Sequence, residues 1–138
     1  MSAENKSIAH RFFAEQDRRK GPLAPELCAP GYTAYIGGYP PINREGHDQM
    51  ALMFYGAFPD LYQTVEDTVA EGDKVVLRFT MRGTHTSELM GIAATNKPIT
   101  VSGIAIFQIV DGKVAELREQ FDEMGMMQQL GVIPAPGQ

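Results

Sequence analysis

The spacing of apolar positions changes once along this chain, near Leu61. Before it, apolar side chains recur at helical intervals: Ile8, Phe12 and Phe13 share one face of an opening segment. Met50, Met53, Phe54 and Ala57 share the inner face of a second. After Leu61 the period drops to two, which predicts strands over Tyr62–Ala70, Lys74–Thr84, Ile99–Val110 and Val114–Phe121. Caps and breakers fall at the seams. Ser2 can cap the first helix and Gly21-Pro22 stops it, while Asn43 opens the second and Phe58-Pro59-Asp60 ends it. Glu71-Gly72-Asp73 and Asp111-Gly112 carry the turn chemistry of tight antiparallel hairpins. Between the helices, PLAPELCAPGY holds at most a short helix, Tyr32 to Ile36 reads as a short strand, and GGYPP is irregular. A Met-rich helical segment follows Asp122 and closes at Gly131. Helices first and hairpin-linked strands second predict an α+β fold, with the helices on one face of a mostly antiparallel sheet.

The chain has 138 residues and reads as a single domain, 1–138. A net charge of −5, with Lys and Arg scattered, offers no surface for nucleic acid. Cys28 is the only cysteine, so no intrachain disulfide forms, and no Cys or His spacing matches a metal site. Nucleotide-binding glycine motifs are missing. The opening MSAENKSIAHRFF lacks the apolar core of a signal peptide, and no apolar run reaches membrane-spanning length. The expectation is a soluble, cytoplasmic protein without cofactor or metal.

The candidate chemistry sits near the end of the chain, in DGKVAELREQFDEMGMMQQLG. Asp122 lies where the last strand runs out beside an apolar helix, a place where desolvation can raise a carboxyl toward useful proton transfer. It can equally cap that helix by accepting from the amides of Met124 or Gly125. Strand parity puts Ala115, Leu117 and Phe121 on one face and Glu116, Arg118, Gln120 and Asp122 on the other. An inward Asp122 would bring Arg118 and Gln120 with it, leaving the apolar face to be covered by a second copy or re-aimed by a bulge near Gln120. Arg118 could hold an anion or an enolate, or pair outside with Glu116 or Glu119. His10 and His47 are expected on helix surfaces and His85 in a turn. Met50, Met53, Met90, Met124 and Met127 suit a core or an adaptable apolar pocket.

Three blocks, AFPDLYQTVEDTVAEGDKVVLRFTMRGTHT, GIAATNKPITVSGIAIFQIVDGKV and EQFDEMGMMQQLG, resemble the SnoaL-like polyketide cyclases over about Pro30 to Val132. The resemblance implies the nuclear transport factor 2-like fold, a curved sheet forming a cone closed by about three helices. It also implies cofactor-free ring closure by intramolecular aldol condensation, with an aspartate that matches Asp122. Three family positions differ: Tyr35 and Gln108 stand where relatives often place a His, and Arg118 where many place a Trp. The expected site is therefore Asp122 as acid–base catalyst, with Tyr35, Gln108, Arg118, Gln120 and Met53 around a hydrophobic carbonyl substrate, in a homodimer. The alternative is a small-molecule binding module with the same pocket and no chemistry. Epoxide hydrolysis, which on this fold uses an Arg-x-Asp pair on a middle strand, is disfavoured, because Arg78-Phe79-Thr80 and Arg82-Gly83-Thr84 carry no Asp in that pattern.

Overall fold

A computed structural model describes residues 2–134 and 137. Helix α1 spans Ser2–Arg19, and a short 3-10 turn, Pro25–Leu27, leads into strand β1, Cys28–Ile36. Helix α2 (Arg44–Ala57) is followed by β2 (Tyr62–Glu71), β3 (Lys74–Thr84), β4 (Pro98–Val110) and β5 (Lys113–Phe121), and α3 (Glu123–Leu130) ends the fold. The five strands form one open sheet in the order β1-β5-β4-β3-β2. β2 to β5 are antiparallel neighbours; tight turns join β2 to β3 and β4 to β5, as their turn signals predict, and a longer link joins β3 to β4. β1 lies parallel to β5, because its chain leaves through α2 and returns only at the end of the sequence. It is also longer than the short strand expected from Tyr32. No helix among the described residues is long and apolar enough to cross a membrane.

Sheet and helices meet through aromatic rings. Phe12 packs edge-on against Phe107 at 5.3 Å, and Phe13 against Phe79 at 5.0 Å and Phe107 at 5.5 Å between ring centroids. These rings seat α1 on the inner face of β3 and β4. Along β4 the alternation is strict, with Ile99, Val101, Ala105, Phe107 and Ile109 inside and Thr100, Ser102, Ile104 and Ile106 outside. Gly103 makes room for the plug, since a Cβ there would stand 2.5 Å from Phe79 Cζ and 2.9 Å from the Gln120 carbonyl oxygen.

Helix α2 begins as its sequence predicts, with the Asn43 side chain accepting from Gly46 N at 2.8 Å. Ala57 is buried as expected, but the rest of its buried face differs in part. His47, Ala51 and Tyr55, each one turn apart, point inward, with Met50 and Phe54 partly buried beside them. Met53 is 36% exposed, so it is not an inner-face residue. His47 is a core histidine rather than a surface one, and His85 is likewise sealed inside, its Nδ1 accepting from Thr95 N at 3.2 Å. At the other end, α3 stops at Gly131, whose left-handed φ of 81° suits glycine.

The Gly103 contact yields a direct check. Gly103→Ala is expected to destabilise the fold by about 2 kcal/mol, because Phe79 is wedged against Phe13 and cannot yield freely. Urea titration should show a lower midpoint at constant slope, and an unchanged midpoint would refute the tight seat.

Candidate active site

The side chain that the fold delivers to its interior is Glu119. Strand β5 carries one extra residue at Ala115, between the pairs Ile109↔Val114 and Gln108↔Glu116. Val114 and Leu117 are therefore both buried, and from Leu117 onward Glu119 and Phe121 follow on the inner face. The bulge lies well before Gln120. The Glu119 backbone is anchored by its parallel neighbour, whose Gly37 N donates to the Glu119 carbonyl at 2.9 Å.

Beyond the aromatic plug, α1 and α2 leave the sheet uncovered around Glu119, and a cavity of about 50 Å³ remains. Its walls are largely apolar: Ile36, Met50, Phe54, Leu61, Met81 and Phe121. The Glu119 carboxyl faces this space with no hydrogen bond or ion pair to a described side chain. Burial raises its pKa from the ordinary 4.5 to about 7. Although the residue keeps some exposure, no cation among the described residues offsets the loss of water.

Opposite polar groups are neutral. His47, 5% exposed, is held at about 4 by burial, so its imidazole is uncharged at neutral pH. Its Nδ1 lies 2.8 Å from the Tyr32 hydroxyl. That hydroxyl has no other partner among the described residues, so we assign its proton to Nδ1 and the ring proton to Nε2. The far wall is a closed network: Tyr55 donates to Asp17 Oδ1 at 2.6 Å, and Gln63 N donates to Asp17 Oδ2 at 3.0 Å. Burial first, and Asp17 second, push the Tyr55 pKa well up, so this phenol stays a spent donor. Gln16 completes the polar lining from α1.

The residues expected from sequence are placed elsewhere. Asp122 is exposed and caps α3, its Oδ1 accepting from Gly125 N at 2.9 Å. Glycine at 125 leaves room for this cap, because a Cβ would displace the Asp122 carboxylate. Arg118 and Tyr35 do meet, the guanidinium 3.9 Å from the ring centroid, but on the outer face of the sheet. Arg118 also binds Glu116 at 3.0 Å and is 54% exposed. Gln120 is exposed on the same face, and Gln108 donates to Asp73 at 3.0 Å. These positions share one parity, and the inner parity belongs to the apolar residues. Three lining groups escaped the sequence reading, and each had a signal. Glu119 shares parity with Leu117 and Phe121, His47 precedes Ala51 and Tyr55 by whole turns, and Gln16 extends the Phe12–Phe13 stripe. Among the described residues no cluster of His, Cys, Asp and Glu could hold a metal ion.

Comparison with known proteins bears on the family and the fold. A model described as SnoaL-like polyketide cyclase matches residues 7–130. AclR of Streptomyces galilaeus, named as a candidate hydroxylase, superposes with a TM-score of 0.87 at 26% identity, over 97% of this chain and 100% of its own. IdmH of Streptomyces antibioticus, named as a candidate polyketide cyclase, gives 0.77 at 29% identity, over 94% and 97%. An epoxide hydrolase of M. tuberculosis, 13% identical with a TM-score of 0.73 over 95% of this chain and 92% of its own, shares the fold. No curated protein matches.

The raised Glu119 pKa is also a statement about stability. Below pH 4.5 both folded and unfolded chains hold the proton, and nothing is lost. As pH rises toward 7 the unfolded chain releases it first, so the fold loses up to about 3 kcal/mol. Glu119→Gln removes this loss. The variant should match wild type near pH 4 and exceed it by about 3 kcal/mol at pH 8. Chemical denaturation at the two pH values decides, and a pH-independent difference would contradict the desolvated carboxyl.

Proposed function

The chain belongs to the SnoaL-like polyketide cyclase family, and on that premise we propose that it is a cofactor-free acid–base enzyme acting on a hydrophobic carbonyl compound. The observation that carries this reading is the Glu119 carboxyl, without a described side-chain partner and poised near neutral pH, in a largely apolar cavity that the neutral His47 imidazole also lines. Ionised Glu119 takes a proton from the carbon beside the carbonyl. Negative charge then grows on the carbonyl oxygen, where the His47 Nε2–H can receive it. A neutral imidazole suits this task, since it stabilises the enolate without a net charge that would tie up Glu119. The enolate carbon adds to a second carbonyl of the same molecule, closing a ring, and protonated Glu119 returns its proton to the new alkoxide. The product has lost no atoms, and Glu119 is regenerated ionised.

The cavity is half-open and only about 50 Å³, so a larger substrate requires its walls to part. Met50 and Met81 are flexible lining, and Phe54 meets Phe121 edge-on at 6.0 Å across it. Asp122 acts, in this reading, by holding α3 rather than by touching the reacting atoms. Exchange of the α-protons of cyclohexanone in D2O, followed by NMR, separates the two carboxylates. Wild-type exchange should rise with pH through about 7, Glu119→Gln should cost about 10²–10⁴-fold, and Asp122→Asn only a few-fold. The reverse order would transfer the catalytic role to Asp122. Binding of the ketone without exchange would leave the non-catalytic binding module.

The homodimer and cytoplasmic location belong to this proposal too. Ile104 and Ile106 stand 49% and 37% exposed on the outer sheet face, with Tyr35 and Arg118 stacked next to them, a surface suited to a second copy. Ile106→Glu should convert a dimer to a monomer in sedimentation velocity at micromolar concentration. A wild-type monomer would remove the dimer from the proposal.

A further inference from the structure

The buried stripe of α1 runs through Ala9, Phe12 and Phe13 and then reaches Gln16. At that spacing the next side chain packs where Phe12 and Phe13 do, against the sheet, and an apolar residue is the ordinary occupant. Gln16 is 5% exposed. Its carboxamide makes no side-chain hydrogen bond among the described residues, and it is not walled off by protein as His85 Nε2 is. It borders the cavity, between the aromatic plug and the space in front of Glu119. A neutral amide with no described side-chain partner, on a residue nine-tenths buried beside a largely apolar cavity, has donor and acceptor available to a ligand. The adjacent Asp17 shows the contrast, because its carboxylate is consumed by Tyr55 and Gln63.

We propose that Gln16 is a specificity residue that reads a second oxygen of the ligand, distinct from the carbonyl oxygen served by His47. The ligand class is then a hydrophobic compound carrying two oxygen functions, one at the reacting carbon and one nearer α1. The Gln16 NH2 donates to that oxygen if it is a ketone, and the Gln16 carbonyl accepts from it if it is a hydroxyl. Selectivity arises because a ligand lacking the oxygen leaves the amide buried and unpaired. This inference rests on the cavity being a small-molecule site, as proposed above, but not on its being catalytic.

Binding of two neutral probes tests it, with cyclohexanone offering one oxygen and cyclohexane-1,4-dione offering two. NMR titration of wild type should show the dione bound about 10-fold more tightly. In Gln16→Met, of similar length and without a hydrogen-bonding amide, that preference should vanish while cyclohexanone affinity holds. Thermal stability of the variant should be equal or higher, since an unpaired buried amide has been removed. A preference that survives in Gln16→Met would overturn the proposal, as would equal loss of both affinities together with a lower melting temperature, the mark of a structural glutamine. Failure of either ketone to bind would overturn it as well. A wild type that prefers the dione yet exchanges no α-protons would sink the catalytic reading and leave this one standing.

Discussion

The packing of Phe12 and Phe13 onto Phe79 and Phe107 sets the dimensions of everything else. An amphipathic helix must bury its stripe, and a sheet with one apolar face must be covered. Here four rings meet that demand over β3 and β4 only, helped by the missing side chain of Gly103. The ring cover ends before β5, while α1 reaches the start of β2 only through Asp17. Helix α2 bridges the remainder through smaller or polar side chains, Ala51, His47 and Tyr55. A gap is left, and its floor is the inner face of β5.

What enters that gap follows from strand parity. The extra residue at Ala115 resets the alternation so that Val114 and Leu117 are both inside, and Glu119 must follow. No cation accompanies it, because Arg118 is one residue away and hence on the opposite face, stacked on Tyr35 and paired with Glu116. Had the guanidinium faced inward, the carboxylate would have been held ionised at low pH. Its exclusion leaves desolvation as the cause of the shift, and the resulting value near 7 suits the proton transfer proposed for this group.

The same economy governs the other polar groups. Tyr32 fixes the tautomer and orientation of His47 from beneath, while Asp17 occupies Tyr55 and Gln63. Of the polar side chains at the cavity, Glu119, His47 and Gln16 thus keep hydrogen-bonding capacity to spare. Methionines and a pair of edge-on phenylalanines line the rest, and these can adjust to a guest far more readily than the aromatic plug behind them.

Local rules suffice for the elements and the turns. Apolar spacing and the signals at Asn43, Glu71-Gly72-Asp73, Asp111-Gly112 and Gly131 depend only on near neighbours in the chain, and the family resemblance in three short blocks carries the fold class with them. Asp122 illustrates the limit of such reading, because a cap and a catalytic carboxylate look alike until the direction of the strand before it is known. Parity could have marked Glu119 as an acid on an apolar face, and helical spacing could have marked Gln16 and His47 as polar residues in buried stripes. Only the tertiary structure decided that these three, from α1, α2 and β5, border one cavity. The parallel pairing of β1 with β5 was equally out of reach of local pattern. Both outcomes depend on contacts between residues far apart in the chain, and the energy of a desolvated carboxylate depends on which charges are absent around it, which no local pattern records.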